Sequence, residues 1–167
     1  MIFKYLDTPI GEMVAVANDE GICMLEFKDM KTLELDLLKI KEIFGGEPIS
    51  PGKNEHLDLL TEEVTAYFQQ KLKTFTVPVV KWGTSFQNQV WEALETIPFG
   101  ETRSYFDVAK QLSNPKAVRA VGMANGKNKI AIIIPCHRVI GAEGKMTGYA
   151  GGLWRKEWLL NHEKSFL

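Results

Sequence analysis

A cysteine directly before a histidine is the feature of this chain whose residue types could do chemistry. The segment Pro135–Val139 reads Pro-Cys-His-Arg-Val and follows the apolar run Ile130–Ile134. The thiolate is the reactive form of cysteine, and neighbouring cationic or basic groups increase its population at neutral pH. Cys136 is therefore a candidate nucleophile and His137 a candidate base. The alternative is a small, buried, unreactive thiol, the commonest state of an intracellular cysteine.

The residues around this pair support predictions about its local structure and its charge environment. We predict that the apolar run forms a buried strand and that the Cys-His pair lies at its end. Arg138, Lys127 and Lys129 are the nearby cations that could favour the thiolate. Because neighbouring side chains on a regular strand point to opposite faces, the pair needs an irregular turn or a bridging water. Pro135 favours such a break.

Length and composition restrict the class of protein. A chain of 167 residues with 45% hydrophobic residues can bury a real core as one domain or two small ones. It has no apolar run of membrane-spanning length, and Met1–Tyr5 does not resemble a signal peptide. Cys23 and Cys136 are far apart with no CxxC pairing, which argues against a structural zinc site and a disulfide scaffold. We expect a cytoplasmic protein without metal or membrane partner.

The net charge of -1 conceals an asymmetry between the two halves. Residues 1–80 carry 8 lysines and no arginine against 14 acids, whereas residues 81–167 carry 12 basic residues against 7 acids. Between Arg103 and Arg138 there are seven basic residues and one acid, Asp107. Such a basic block is typical of a surface that faces a polyanion, although a solvated charged face has the same composition.

Turn signals and hydrophobic periodicity divide the chain near residue 80. Ile2–Leu6, Met13–Ala17 and Ile22–Phe27 are predicted strands, separated by glycine-containing turns. Two amphipathic helices are predicted next, the first from about Leu33 to Phe44 and the second from about Leu57 to Phe68. Residues 48–52 read as a loop, and residues 75–80 as a strand or linker. We therefore predict an α+β fold with a supporting domain over 1–80 and a second domain over 81–167 that contains the Cys-His pair and the basic block.

The second part contains signals for a helix-turn-helix. A helix is predicted from Thr84 to Ile97, and a short one follows Ser104; both have capping-box spacing. Asn114 and Pro115 predict the start of another helix, which would run to about Asn125 with Gly126 as its C-cap. Two short helices joined by a tight turn suit DNA binding when they carry a basic block, but a packed helical hairpin is the alternative.

A glycine-rich loop and a last helix complete the chain. Gly141 to Gly152 holds five glycines in twelve residues, so the loop could bend sharply towards a ligand or simply connect two elements. The helix is predicted from Leu153 to His162, with Trp154, Trp158 and Leu159 facing the core and Glu163 near its end. That carboxylate is a candidate partner for the histidine after the cysteine.

With these pieces assembled, the stretch from Phe86 to Glu163 resembles the O6-alkylguanine-DNA alkyltransferases, also called methylated-DNA–protein-cysteine methyltransferases. The matching segments are Ile97–Thr102, Ser104–Tyr105, Asn114–Gly122, Ile134–Val139, Gly148–Leu153 and Lys156–Leu160. Their order and spacing are specific. The first eighty residues resemble the family's variable N-terminal domain more weakly. The resemblance implies a ribonuclease-H-like α/β domain over 1–80, followed by a helical, winged-helix-like domain with a helix-turn-helix. That second domain, 81–167, would bind DNA and carry the catalytic alkyltransferase site.

The resemblance also implies a reaction. Guanine carrying an alkyl group on O6 is the substrate, and O4-alkylthymine is a possible second one. Cys136 would attack the alkyl carbon, and His137 would take the thiol proton through a water while Glu163 orients the imidazole. Asn128 would fix the cysteine backbone. Tyr105 would donate a hydrogen bond to the leaving guanine. Because the thioether is stable, each molecule would act once, without a cofactor.

DNA recognition is implied on the same ground. Double-stranded DNA with O6-alkylguanine would be the partner, bound by a monomer through its minor groove, with the target base flipped out of the stack. Arg119 would fill the vacated space. The other residues implied at the DNA surface are Lys116, Ala120, Gly122 and Tyr105, and those implied around the flipped base are Pro135, Val139, Tyr149, Ala150 and Gly151.

Lys129 departs from the family pattern, which commonly has proline there, and this puts the rigidity of the segment in question. Three other functions are alternatives to repair. A silent relative that only senses alkylated DNA lacks the cysteine that is present here. A transcription factor would need neither Cys136, His137 nor Glu163. A cysteine hydrolase would turn over repeatedly and ignore DNA.

Overall fold

Four strands form a mixed sheet in the first half of the chain. They are β1 (Ile2–Leu6), β2 (Met13–Ala17), β3 (Ile22–Phe27) and β4 (Ser50–Pro51), in the order β3-β2-β1-β4. β1, β2 and β3 pair antiparallel, and β4 pairs parallel with β1. The bounds of the first three strands agree with the prediction. The predicted loop over 48–52 is wrong at its centre, because two of its residues complete the sheet edge.

Two helices accompany this sheet, α1 (Leu33–Ile43) and α2 (Glu55–Phe68). The side chain of Asn54 caps α2 by accepting hydrogen bonds from two backbone N–H groups. A core cluster joins Val16, Cys23, Met24 and Ile40. Burial raises the pKa of the Cys23 thiol to about 11, so this cysteine is protonated and unreactive at neutral pH.

The computed structural model describes all 167 residues and divides them into an N-terminal unit, Met1–Trp82, and a C-terminal unit, Gly83–Leu167. The C-terminal unit is mostly helical. Its elements are α3 (Ser85–Glu95), β5 (Arg103–Ser104), α4 (Tyr105–Gln111), α5 (Val118–Gly126), β6 (Val139–Ile140) and α6 (Leu153–Ser165). α3, α4 and α5 pack against one another, as a helix-turn-helix with a supporting helix does.

Both predicted capping boxes of this unit are present. The Thr84 side chain accepts from the backbone of Gln87, and Ser104 accepts from the backbone of Asp107, each with the reciprocal bond. These contacts satisfy backbone donors that a helix start leaves open, so α3 and α4 begin where the sequence indicates. Ser104 thereby fixes the first residue of α4, which is Tyr105.

Three local predictions in this unit are wrong. α5 begins at Val118, not Pro115, because the residues after Asn114 form a separate turn in which Ala117 N–H donates to the Asn114 carbonyl at 3.0 Å. Gly126 is the last helical residue, and Lys127 is the C-cap. The run Ile130–Ile134 is not a strand: its backbone turns, with φ of 72° at Ile132. Its isoleucines are apolar because the turn is buried, which periodicity cannot distinguish from a strand.

The last helix is longer than predicted, and one of its predicted core residues is exposed. α6 extends to Ser165, so Glu163 lies within it. Leu159 is buried, as predicted, together with Leu160, whereas the prediction for Trp154 is wrong because its side chain is 56% exposed. None of the helices combines the length and apolar character needed to cross a bilayer.

Candidate active site

Cys136 begins a single 3₁₀ turn, Cys136–Arg138, that separates it from any regular strand. The backbone N–H of Cys136 donates to the Ile134 carbonyl at 2.8 Å, and that of Arg138 donates to the Pro135 carbonyl at 2.9 Å. The cysteine is 7% exposed, and its histidine neighbour is fully buried. The expected irregular turn is therefore confirmed, and it frees the two side chains from the opposed directions that a strand imposes.

Two asparagines hold the backbone around the cysteine. Asn128 donates to the Ile134 carbonyl at 2.8 Å and accepts from the Ile130 N–H at 3.0 Å, which fastens the turn before the nucleophile. Asn125, at the end of α5, donates to the carbonyl of Cys136 itself at 3.3 Å. The family resemblance implies that Asn128 contacts the cysteine backbone. In the structure Asn125 donates to the Cys136 carbonyl, whereas Asn128 donates to the carbonyl of Ile134, two residues before the cysteine. Both residues are buried.

Glu163 lies at the centre of a buried charged cluster with His137 and Arg138. Its Oε2 is 2.6 Å from Nε2 of His137, and its two oxygens accept from Nε and Nη2 of Arg138 at 2.8 and 3.1 Å. The backbone N–H of Gly100 also donates to this carboxylate, at 3.2 Å. Arg138 completes its own bonding through the carbonyl of Ile97 at 2.8 Å. Every charged group here has a partner of opposite charge or polarity, as burial requires.

The protonation states of this cluster follow from its contacts. Burial works to raise the pKa of Glu163, but the hydrogen bonds and charges of His137 and Arg138 prevail and hold it well below the usual range. Burial lowers the pKa of His137, and the charges of Arg138 and Lys156 add to that, against the opposing effect of Glu163. The site at neutral pH therefore holds an ionised Glu163 and a neutral imidazole.

The carboxylate also selects the tautomer of that imidazole. A neutral ring whose Nε2 lies beside Glu163 carries its proton there and donates it to the carboxylate. Nδ1 of His137 is then the basic nitrogen; it is buried and has no hydrogen-bond partner in the structure. The ring is thus oriented and polarised to accept a proton at Nδ1.

A short pair of parallel strands joins the segment that carries Tyr105 to the one that carries the nucleophile. In this pair, β5 and β6, Arg103 lies opposite Val139 and Ser104 opposite Ile140. Tyr105 follows β5 at the carboxyl end of the pair, whereas the 3₁₀ turn precedes β6 at the amino end. The Tyr105 hydroxyl donates to the carbonyl of Thr147 in the glycine-rich loop at 3.2 Å.

The residues suggested for the base pocket fall into two groups. Pro135 and Val139, on either side of the 3₁₀ turn, are buried. Tyr149, Ala150 and Gly151 lie in the loop before α6, where Tyr149 is partly buried and Ala150 exposed. The loop needs its glycines, because Gly148 and Gly152 have φ of 51° and 99°, values that other residues rarely adopt.

The residues suggested for DNA contact lie in the helix-turn-helix, but not all on one face. Arg119 and Ala120 are exposed on α5, and Lys116 is exposed in the turn before it. Gly122 is only partly exposed, and a Cβ built there would lie 3.8 Å from the Tyr105 ring. Gly122 therefore brings α5 next to the tyrosine, whereas Arg119 and Lys116 give the exposed side of this segment its positive charge and Ala120 leaves it without a bulky side chain.

The sequence does not reveal two members of the site, and it suggests a different role for a third. Arg138, a candidate for stabilising the thiolate, instead pairs with Glu163. Asn125 contacts the nucleophile's backbone, and Lys156 is a buried cation in electrostatic contact with Cys136. The motif Lys156–Leu160 was a signal for the last of these, but only the fold reveals its position. No group of three or more His, Cys, Asp or Glu side chains is placed to hold a metal ion.

A cysteine followed in sequence by an oriented imidazole, in one unit with a basic helix-turn-helix, is the arrangement expected of a DNA-binding protein with a thiol nucleophile. Two family models cover the chain: the 6-O-methylguanine DNA methyltransferase ribonuclease-like domain matches residues 1–80, and the DNA-binding domain of the same name matches residues 85–165. The chain belongs to the 6-O-methylguanine DNA methyltransferase family. The expected α+β fold, with a ribonuclease-like domain before a helical DNA-binding domain, is thereby confirmed.

Individual relatives agree over the full length. A methylated-DNA–protein-cysteine methyltransferase of Methanosarcina acetivorans is 45% identical, covering 99% of both chains. One from Shigella flexneri is 43% identical, over 98% of this chain and 95% of the relative. Among solved structures, Mycobacterium tuberculosis OGT in complex with DNA matches with a TM-score of 0.86 and 40% identity, covering 99% of this chain and 94% of that one.

Proposed function

We propose that this protein repairs DNA by transferring the alkyl group of O6-alkylguanine to Cys136. The observation that carries the proposal is the buried arrangement of Glu163, His137 and Cys136 in a unit that also contains the helix-turn-helix. Relatives more than 40% identical are named methylated-DNA–protein-cysteine methyltransferases. The family supplies the reaction, and the contacts of this chain supply a physical account of it.

The transfer is an in-line displacement at the alkyl carbon. Nδ1 of His137 takes the proton of Cys136 through an intervening water, and the imidazolium that forms is stabilised by the adjacent Glu163 carboxylate. The thiolate then forms a carbon–sulfur bond as the carbon–O6 bond breaks. The electron pair of the broken bond stays on O6 and leaves with the guanine. Tyr105 donates a hydrogen bond to the departing base, exchanging the Thr147 carbonyl for it.

The same reaction explains why each molecule acts once. The product is a thioether, which lacks an ionisable proton and is a poor leaving group, so no later step regenerates the thiol. The protein is accordingly consumed in stoichiometric amounts. We infer that it works as a monomer. We also infer that it works in a reducing compartment such as the cytoplasm, because a disulfide at Cys136 would remove the nucleophile.

Access to the lesion requires the nucleotide to leave the stack. O6 of guanine lies at the major-groove edge of a stacked base, whereas Cys136 is only 7% exposed and lies behind the surface of the unit, so the thiol reaches the alkyl group only when the base is extrahelical. We infer that α5 approaches the minor groove, with Lys116 contacting phosphate, Ala120 allowing close approach and Arg119 occupying the vacated space. Pro135, Val139, Tyr149, Ala150 and Gly151 then enclose the flipped base.

Restoration of guanine in a defined duplex tests the proposed function. An oligonucleotide with one O6-methylguanine in a restriction site becomes cleavable only after repair. Cleavable DNA should rise to a plateau equal to the amount of protein added, and Cys136→Ser should give none. Cys23→Ser, which alters the buried second thiol, is the matched control and should repair as the parent does.

Two results would contradict the proposal. Repeated turnover beyond one event per molecule would indicate hydrolysis, since a hydrolase releases its product and regenerates its thiol. Full repair by Cys136→Ser would exclude this sulfur as the acceptor.

A further inference from the structure

Met123 is a large apolar side chain in the middle of the exposed face of α5. It is 71% exposed, whereas Val121, Ala124 and Asn125 form the buried face of the same helix. A side chain that stays in water contributes little hydrophobic stabilisation to the fold. Packing within the unit therefore gives Met123 no role.

The helix surface around Met123 is otherwise basic or small. Arg119 and Ala120 precede it by four and three positions, and residues at these spacings adjoin on a helix surface. Gly126 and Lys127 follow it by three and four positions, and all four neighbours are exposed. The methionine therefore projects between two cations, with only an alanine and a glycine beside it.

The charge of this face indicates what covers it. No acidic residue occurs between Asp107 and Glu143, and the family's DNA-binding domain spans that whole segment. The face is also continuous with the surface proposed to bind DNA through Lys116 and Arg119. Duplex DNA offers phosphates to the cations and, in its minor groove, base steps between which apolar side chains insert.

The spacing between Arg119 and Met123 suits adjacent positions on a duplex. Four helical residues rise about 6 Å, which is close to two base-pair steps of about 3.4 Å. A helix that follows the groove with Arg119 at the vacated position therefore brings Met123 to the steps beside the lesion. Methionine is unbranched and polarizable, so it adapts to an irregular gap between bases.

We propose that Met123 is a second element of base extrusion, an apolar wedge that enters the minor groove beside Arg119 and unstacks the base-pair step next to the lesion. The inference rests on the proposed function and deepens it. Arg119 occupies the space that the nucleotide leaves, whereas Met123 loosens the neighbouring stack and so lowers the cost of extrusion. It is a positioning residue, because it does not touch the alkyl group or the thiol.

Met123→Gln tests the wedge because glutamine keeps the length of the side chain and removes its apolar end. Repair of a duplex with one O6-methylguanine is measured at saturating protein, so that weaker binding does not limit the rate. The variant should be about tenfold slower, since burial of roughly half a methionine side chain corresponds to that factor. Reaction with O6-benzylguanine as the free base should not change, because no stack is opened.

A second measurement reports unstacking directly. 2-Aminopurine placed next to the lesion fluoresces more strongly when it is unstacked, and Cys136→Ser allows binding to be observed without transfer. Addition of Met123→Gln to this background should reduce the rise in fluorescence on binding. Met123→Leu, which keeps an apolar side chain, should restore most of both the fluorescence rise and the repair rate.

Leu38→Gln is the matched control, because Leu38 is an apolar side chain on α1 that is 64% exposed in the acidic half of the chain. It should keep the parental duplex rate, free-base rate and fluorescence rise. Because Met123 is exposed, its variants should also unfold at the parental temperature.

The outcomes distinguish this inference from the proposed function. Met123→Gln with a parental duplex rate and fluorescence rise overturns the wedge, and so does an equal loss on duplex and free base. Weaker binding with a parental rate at saturation shows a simple DNA contact and likewise overturns it. If the parent protein leaves Cys136 unmodified by both substrates, the proposed function fails instead.

Discussion

At the scale of single residues, the site depends on one carboxylate serving two neighbours. Glu163 orients the imidazole of His137 and neutralises the guanidinium of Arg138, both within a buried cluster. Removing one member of such a cluster leaves another charge unpaired away from water, which costs far more than an exposed ion pair contributes. Both the proposed catalysis and the stability of the fold therefore depend on Glu163.

Glu163→Gln should lower both stability and activity. At pH 7 we expect a loss of about 3–5 kcal/mol, because Arg138 loses its partner. Since the pKa of Glu163 in the folded protein lies well below its unfolded value, its stabilisation is fully present above the ordinary carboxyl range and is lost progressively as the pH falls from that range towards the depressed pKa. The stability gap between parent and variant should accordingly stay constant from pH 7 to about 5 and narrow progressively at lower pH.

Thermal unfolding across that pH range measures this gap. Glu157→Gln, an exposed acid on the same helix, is the control and should unfold close to the parent. Equal melting temperatures of Glu163→Gln and the parent at pH 7 would contradict the assigned role of the cluster.

Some of these residues could be found from sequence and others could not. The Cys-His pair is a local motif, and Glu163 follows from the family resemblance. The acceptors of Lys156 lie 8, 9 and 17 positions away along the chain and are backbone carbonyls, which carry no residue signature. The contact of Asn125 with the Cys136 carbonyl depends on the end of α5 meeting the 3₁₀ turn, which no local motif indicates, and the family resemblance assigns the contact to Asn128 instead.

At the scale of elements, local chemistry sets most boundaries and tertiary structure sets the exceptions. The three N-terminal strands and the two capping boxes follow from turn residues and short-range hydrogen bonds, so the sequence predicts them well. The segment Ile130–Ile134 is the main failure, because Asn128 holds it as a turn that only the fold specifies. α5 also starts late, after a turn that Pro115 and Lys116 form outside the helix.

Arg119 on α5 gives a prediction about how this helix acts on DNA. Arg119→Ala should slow repair of a duplex by about tenfold or more, because the base must be held outside the stack at a cost of a few kcal/mol. Reaction with free O6-benzylguanine should change little, since no duplex is opened. Single-turnover rates on the two substrates give the comparison.

Lys127→Ala, which removes an exposed charge at the other end of α5, is the control for that experiment. It should weaken duplex binding modestly. The ratio of the repair rate on duplex to the rate with free O6-benzylguanine should stay as in the parent protein. An equal loss on duplex and free base for Arg119→Ala would point away from a role in base extrusion.

At the scale of the whole molecule, charge is divided between the two halves of the chain. Residues 1–80 have a net charge of -6, and residues 81–167 have +5, although the sum is only -1. Phosphate contact by the second half releases counterions, whereas the acidic first half gains nothing from a polyanion. The sequence alone predicted this division, because it depends on composition and not on packing.

Binding to undamaged duplex should therefore weaken steeply with salt. If about four phosphates are neutralised, affinity should fall roughly a hundredfold between 50 and 200 mM salt. Fluorescence anisotropy over that range gives the slope. Lys116→Gln should reduce the slope by about one unit, while Lys39→Gln, exposed in the acidic half, should leave it unchanged. Binding that ignores salt would contradict a basic DNA surface.

The identity of the alkylated atom tests the central claim most directly. The protein is mixed under reducing conditions with a duplex that contains one O6-methylguanine, digested and analysed by peptide mass spectrometry. The account predicts a gain of about 14 Da, a methyl group in place of a proton, on the peptide that contains Cys136. An unmodified Cys136 peptide from folded protein, or the adduct on the Cys23 peptide, would contradict it.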